Sequence, residues 1–349
     1  MTDNNKIKVL VVDDAAFMVK AVTEMLSSDP QIEVMGVARN GQEAREKIAE
    51  LKPDVITLDV DMPVMDGIRT VRHLMIESPV PVVILSSLFG DGAITFEALR
   101  LGVVDFVPKP SGAVSRDIDS AKQEVIDRVK MAASVNMKNI HRVRLQERDA
   151  QNNAMEGQYA YQSLDQLLVV GTTLGGPNTV IRLLSHLSPR LPVCLVVVQK
   201  ISPKVIDSFA GKFDEYVPWR VEVAGDGAVL EQGVCYLAPD KVSVRIDVNE
   251  NEEVCLRVGE EVARPLDELF SSAAFAFGSN AIGLLLTGIG DDGGKGLGDI
   301  QSMGGTTLAQ ATDSCVYPNL TEHAIRLGTV DHVVEESELV AQIEAMIQS

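Results

Sequence analysis

Several things are scarce in this chain of 349 residues, and each scarcity excludes something. No run of 18 uninterrupted apolar residues occurs, so no stretch is long enough to cross a bilayer as a helix. The opening MTDNNKIK is polar and is followed only by the short apolar run KVLVV, which is not the pattern of a secretory leader. Cysteines number four (Cys194, Cys235, Cys255, Cys315), lie far apart and form no C-x-x-C pair, which disfavours a disulfide framework or a zinc site. Cys194 and Cys235 fall in apolar runs and are expected in the core, while Cys315, beside polar loop residues, is expected to be more exposed. Positive charge is also in deficit: 31 Lys and Arg against 50 Asp and Glu give a formal net charge of −19. Such a surface repels nucleic acid and anionic membranes, leaving basic proteins as partners. The expectation is a soluble cytoplasmic protein with no nucleic-acid ligand and no direct membrane insertion.

What is abundant is apolar sequence, 46% of the chain, enough for two domains with full cores. KVLVV (8–12), IEVMGVA, DVITLDV, VPVVILSS and VDFVPK read as five buried strands. Helical segments such as FMVKAVTEMLSS and GQEAREKIAELK lie between them. Short apolar strands alternating with amphipathic helices predict a parallel sheet covered on both faces, doubly wound by right-handed crossovers. The pattern stops near Pro110. Residues 113–163 read as a helix, with apolar spacing at Ile118, Val125, Val129 and Ala132, running into the polar tract QERDAQNNAMEGQ as a flexible linker. From Leu164 a second α/β pattern follows. Its strand candidates are LLVVG, VCLVVVQ, CYLAP, VSVRIDV, VCLRV and AIGLLLTG, and its helix candidates are 177–187, 203–214, 266–278, 293–303 and 321–327. A hairpin is expected around VNENEE (248–253). The domains are thus 1–112, the linker 113–163, and 164–349.

In the first domain, polar groups gather where strands end. Asp13 and Asp14 follow the first strand, Asp59 ends the third, Ser86 ends the fourth and Lys109 follows the fifth. Ligand sites in open α/β sheets lie at these carboxyl ends. Any one Asp there is ordinarily a turn residue or a helix N-cap, but the set together is a chemistry. Clustered carboxylates need a cation, and Mg²⁺ takes hard oxygen ligands. One carboxylate can then act as nucleophile toward a phosphoryl group. Lys109 and Ser86 can meet the phosphoryl oxygens, and the added charge can reposition a loop. In LDVDMPVMDG the turn around Met62–Pro63 follows directly, and Gly67 permits a tight bend.

Residues 7–110 closely resemble the receiver domain of bacterial response regulators, through VVDD, LDVDMPVMDG, ILSS and FVPKP. The resemblance implies a flavodoxin-like five-stranded fold, Asp59 as phospho-acceptor from a sensor histidine kinase, and Asp13 and Asp14 at a Mg²⁺ site with the backbone carbonyl of Asp61. It further implies Ser86 as switch hydroxyl, Phe106 as aromatic switch, and Lys109 before a cis-like Pro110.

Residues 164–349 resemble the catalytic domain of the chemotaxis protein-glutamate methylesterase family, and the order of domains matches. The resemblance runs through VVGTTLGGP, LVVVQKISP, AGDGAVLEQGVCYLAPD, LLLTGIGDDGGKGL, GGTTLAQATDSCVYPN and RLGTVDHVV. It implies an α/β domain with a mostly parallel sheet that hydrolyses methyl esters on receptor glutamates, or deamidates receptor glutamines, with methylated chemoreceptor cytoplasmic domains as partners. It also implies a Ser–His–Asp triad, which this chain departs from. The family's serine turn reads GTTLGG here, putting Thr173 at the serine position, and its Val-Gln-His-Met reads VQKI, putting Lys200 at the histidine. GIGDDG keeps the aspartate as Asp292, with Ile289 at the expected oxyanion hole, and the Pro-Ser-Val-Asp segment is altered to PLDELF.

Threonine has a hydroxyl but a crowded one. Lysine, with an ordinary pKa of about 10.4, needs a shift of roughly three units to act as a base near neutrality. A Lys200–Asp292 salt bridge is the expectation, since the retained carboxylate stabilises ammonium. Of the five histidines, His323 is the one whose position merits inspection as a substitute. Three readings follow: an esterase or amidase with a Thr–Lys site, a catalytically inert or weakened phosphorylation-dependent binding module, or other chemistry with Lys200 binding an anionic substrate.

Overall fold

The structure is a computed structural model that describes residues 6–86, 91–109, 117–143, 145, 164 and 166–348. It divides into two compact units, Met1–Arg142 and Val143–Ser349. Pro110 and the tract QERDAQNNAMEGQ lie outside the described residues.

In the first unit the strands are β1 (Ile7–Val12), β2 (Ile32–Ala38), β3 (Val55–Leu58), β4 (Val82–Ser86) and β5 (Asp105–Pro108). They alternate with α1 (Ala16–Ser27), α2 (Gly41–Leu51), α3 (Gly67–Glu77), α4 (Gly92–Leu101) and α5 (Asp117–Ala133). The sheet order is β2-β1-β3-β4-β5, with every pairing parallel. Strands of this kind are buried on both faces, which is why they read as unbroken Val, Ile and Leu runs. Leu10, Val12, Ile56, Leu58, Val82 and Ile84 form the centre of the core. Helix starts are set by side chains: Asn40, Asp66 and Asp91 each accept backbone N–H bonds at the N-termini of α2, α3 and α4.

Helix α5 departs from the expectation for 113–163. It packs against α1, β3, β4 and β5 rather than serving as a connector. Val125, Ile126, Val129 and Ala132 are buried. Ion pairs Lys130–Asp29 at 2.5 Å and Arg128–Asp105 at 3.3 Å tie it to the loop before β2 and to β5. The sheet face left open by four helices needs this fifth one, so the linker begins later than residue 113.

The second unit is a seven-stranded sheet of order β14-β13-β12-β6-β7-β9-β8, all pairings parallel, with a separate antiparallel hairpin β10-β11. The strands are β6 (Gln166–Gly171), β7 (Val193–Gln199), β8 (Arg220–Val223), β9 (Val234–Pro239), β10 (Val242–Val248), β11 (Val254–Glu261), β12 (Ala281–Leu285), β13 (Thr306–Gln310) and β14 (His332–Val334). The helices are α6 (Gly176–His186), α7 (Ile206–Tyr216), α8 (Pro265–Phe277), α9 (Gly294–Ser302), α10 (Asn319–Leu327) and α11 (Leu339–Ile347). The hairpin falls where expected and packs on α8. Successive connections leave β6 toward β7 on one side, while β12 pairs on the other. The β6/β12 boundary is therefore the switch point where such sheets open a crevice. All four cysteines are buried and form no disulfide, Cys315 included, contrary to its expected exposure. Its thiol is packed against Thr321 and the Gln310 carbonyl, and burial raises its pKa to about 11.

Candidate functional sites

The first site is built at the carboxyl edge of β1, β3 and β5. Carboxylate oxygens of Asp13, Asp14 and Asp59 lie within 4.8 Å of one another, with Asp13 and Asp59 buried and Asp14 exposed. Lys109 reaches between two of them, its Nζ 2.7 Å from Asp13 Oδ2 and 2.7 Å from Asp59 Oδ2. The remaining Asp59 oxygen accepts from the Val60 N–H at 2.7 Å. Burial pushes the Asp59 carboxyl above its ordinary value, against the pull of Lys109. Burial likewise pulls Lys109 down, but its hydrogen bonds to Asp13 and Asp59 outweigh that and hold it above its usual range. The donor set is hard oxygen, as Mg²⁺ prefers.

The loop after Asp59 is shaped by contact. A Cβ on Gly67 would lie 2.3 Å from the Asp59 carbonyl oxygen and 2.8 Å from Val60 Cα, so only glycine lets α3 start against the acceptor strand. Val64, exposed, sits at φ 68° in a turn closed by the Met65 N–H donating to the Pro63 carbonyl at 2.7 Å. A β-branched residue there is strained. Ser86 is buried at the end of β4, and its carbonyl accepts from the Lys109 N–H at 3.0 Å. Phe106 is half-buried on β5 and packs against the core. Asp61 is exposed and is not among the three clustered carboxylates.

In the second unit, Thr173 follows β6, Lys200 follows β7, and Asp292 lies in the loop between β12 and α9. All three therefore stand at the carboxyl edge of neighbouring strands, but each is engaged elsewhere. The Thr173 hydroxyl donates to the Ile289 carbonyl at 3.0 Å and accepts from the Ile289 N–H at 2.8 Å. The N–H expected to serve an oxyanion hole is thus occupied by the threonine itself. Thr172 is fully buried, donating to the Thr287 carbonyl at 2.5 Å. Gly175, at φ 78°, turns the chain into α6. A Cβ at Gly176 would lie 1.7 Å from Thr172 Oγ1, so the GTTLGG turn is packed through that hydroxyl.

The expected Lys200–Asp292 bridge is not formed. Lys200 Nζ lies 3.9 Å from Oδ2 of Asp240, which follows β9, the neighbour of β7. Asp292 is instead held by backbone: Oδ2 accepts from the Leu266 N–H at 2.8 Å, and Oδ1 from the N–H groups of Asp267 at 3.1 Å and Gly293 at 2.8 Å. Leu266 and Asp267 are in the first turn of α8, whose free N–H groups favour an anion. Burial nevertheless raises the Asp292 carboxyl above its ordinary value, with these N–H bonds opposing it. Arg264 braces the same junction, Nε 2.6 Å from Asp267 Oδ2 and Nη1 3.0 Å from Asp291 Oδ1. His323 is half-buried on α10, near the start of α9 at Gly294.

Asp240 and Arg264 were not singled out from the sequence. The signals were there: Asp240 ends CYLAPD at a strand terminus, and Arg264 precedes a proline at a helix start.

The family described as CheB methylesterase matches residues 168–343, and the response regulator receiver domain family matches residues 9–116. A protein-glutamate methylesterase/protein-glutamine glutaminase of Geobacillus kaustophilus is 38% identical over 348 residues, covering 98% of this chain and 99% of its own. One of Sulfurimonas denitrificans is 37% identical over 352 residues, covering 98% of each. The solved CheB methylesterase catalytic domain of Thermotoga maritima aligns with 52% of this chain and 98% of its own, at 27% identity and TM-score 0.49.

Proposed function

The chain belongs to the CheB methylesterase family of chemotaxis response regulators, with receiver and methylesterase domains in one polypeptide, and from that premise we propose that phosphorylation of Asp59 governs a second domain that engages receptor glutamyl side chains without hydrolysing them at an enzyme's rate. One observation carries the second half of this reading. The three triad positions are bonded to other groups: Thr173 to Ile289, Lys200 to Asp240, and Asp292 to the first turn of α8. Among the described residues, no hydrogen bond joins Thr173, Lys200 and Asp292 to one another.

In the receiver, Asp13, Asp14 and Asp59, with the Asp61 carbonyl, would hold Mg²⁺. The ion, when bound, offsets carboxylate repulsion and the charge of the incoming phosphoryl group. The Asp59 carboxylate attacks the phosphoryl group carried on a histidine of the sensor kinase, forming the P–O bond as the P–N bond breaks and the imidazole leaves. Lys109, already bonded to Asp59, exchanges that contact for a phosphoryl oxygen. The Ser86 hydroxyl meets another, and Phe106 on the adjoining strand follows. The second domain's partners are the cytoplasmic domains of methylated chemoreceptors, met in the cytoplasm.

A small phosphodonor with Mg²⁺ should label the protein, and Asp59→Asn should abolish the label; unchanged labelling would remove Asp59 as acceptor. The phosphorylated full chain should release methanol from methylated receptor at least about a thousandfold more slowly than an intact triad does. The second reading, hydrolysis by a Thr–Lys site, is favoured by the adjacency of β6 and β7, at whose carboxyl ends Thr173 and Lys200 stand. Fast methanol release that disappears in Thr173→Ala would establish it.

A further inference from the structure

Lys200 is placed for binding. It follows β7, which lies between β6 and β9, so it stands at the edge shared by the Thr173 turn and Asp240. Its side chain is one quarter exposed (25%), and its contact with Asp240 at 3.9 Å is too long for a hydrogen bond. Among the described residues its ammonium donates no hydrogen bond at all. Its three N–H donors are therefore available to an acceptor from outside the chain. Asp240 fixes the position of the head and leaves those donors available.

The surroundings select the acceptor. Helix α6, 11 residues long, begins at Gly176 just after the Thr173 turn, so the positive end of its dipole lies at the same edge and favours an anion. The Thr173 hydroxyl is used in both directions by Ile289 and adds no competing donor. A glutamyl side chain reaches a methylesterase crevice in three chemical forms. The methyl ester and the amide are neutral and accept weakly. The free carboxylate accepts a charge-assisted hydrogen bond at about 2.7–2.9 Å. Bonded at that distance it feels the ammonium more strongly than the farther Asp240, because the Coulomb energy falls as the reciprocal of distance.

We propose, resting on the non-hydrolysing reading above, that Lys200 makes this crevice a reader of free glutamate carboxylates, binding the unesterified glutamyl side chain in preference to its methyl ester or to glutamine. The domain then senses the product of the family's reaction instead of making it.

The test titrates the full chain, ¹⁵N-labelled, with N-acetyl-L-glutamate methylamide, its γ-methyl ester, and N-acetyl-L-glutamine methylamide. It is run with and without beryllofluoride and Mg²⁺, so that both receiver states are sampled. Backbone amide shifts of the Thr173–Gly176 turn and of Lys200 are read. The expected result is saturable shifts with the glutamate compound at an apparent Kd at least about tenfold below the other two. In Lys200→Gln the three affinities converge, and in Lys200→Arg, which keeps the charge, the preference remains. Equal affinities in the parent, no saturation by any compound in either state, a preference surviving Lys200→Gln, or one lost in Lys200→Arg would each overturn the proposal. Methanol appearing in the ester titration would refute the non-hydrolysing reading alone, because the carboxylate preference is also read from the glutamate and glutamine arms.

Discussion

Removing Asp292 should cost the second domain stability. Its two carboxylate oxygens accept three backbone N–H groups, two of them in the first turn of α8. Asp292→Ala leaves all three donors without that acceptor. Loss of an N-terminal cap alone costs about 1–2 kcal/mol, and stranded, partly buried N–H groups add to this, each about 1–3 kcal/mol when fully buried. Relief of the carboxylate's own burial offsets part of the sum, since burial holds its pKa above the ordinary value. The net expectation is a loss of about 2–3 kcal/mol, or roughly 4–12 °C in melting temperature for a domain of this size. Asp292→Asn should fall between, because its amide oxygen still accepts from Asp267 and Gly293 while its NH₂ opposes the Leu266 N–H. The assay is intrinsic fluorescence, since the single tryptophan, Trp219, is fully buried in this domain and donates to the Leu187 carbonyl at 3.0 Å. If Asp292→Ala melts within about 0.5 kcal/mol of the parent, the capping assignment is wrong.

Gly67→Val should block Asp59 labelling and destabilise the receiver by about 1–3 kcal/mol or more, because its Cβ meets backbone at 2.3 Å; normal labelling by a phosphodonor would contradict the close-contact argument. Asp59→Asn should raise the receiver's melting temperature at pH 7. Burial raises the folded-state pKa of Asp59, so its ionisation costs stability as pH rises through that value, and the gain should vanish below the ordinary carboxylate range; calorimetry at the two pH values checks the sign. A fragment ending at residue 142 should unfold cooperatively, and one ending at 112 should not. Helix α5 buries Val125, Ile126 and Val129, at about 1.5–3 kcal/mol each, which approaches the whole stability of a small domain; circular dichroism in urea distinguishes the two.

The first domain was legible because its strands are short, fully apolar and separated by amphipathic helices, and because its acidic residues sit at strand ends whatever the exact boundaries. The helix at 117–133 was legible as a helix, but its destination was not, since the same apolar stripe suits a connector or a sheet face. In the second domain β13 hid behind its polar residues. Thr307 is satisfied by Asp331 at 2.8 Å and Gln310 by the Thr287 N–H at 3.0 Å, so TTLAQ is buried without looking apolar. Strand β8, RVEV, alternates charge with valine as an edge strand does, and β14 has three residues. The partner of Lys200 could not be read locally. The chain goes from β7 out to the edge strand β8 and returns to lay β9 between them, which brings Asp240 beside Lys200 from 40 positions downstream. Motif spacing records which residues a family uses and is silent on which of them meet once two members have changed.

The pairing of Thr172 with Gly176 bears on how this turn can evolve. A methyl group at 176 and a hydroxyl at 172 claim one volume, their centres 1.7 Å apart. Neither replacement is independent of the other. A lineage that acquires alanine at 176 passes through a chain whose turn cannot close, and shortening residue 172 to serine or alanine does not clear the way, because the Cβ of residue 172 itself lies 2.6 Å from that methyl group. Glycine at 176 is therefore held in place by sterics for as long as residue 172 carries a side chain, and change in this turn is confined to the other positions.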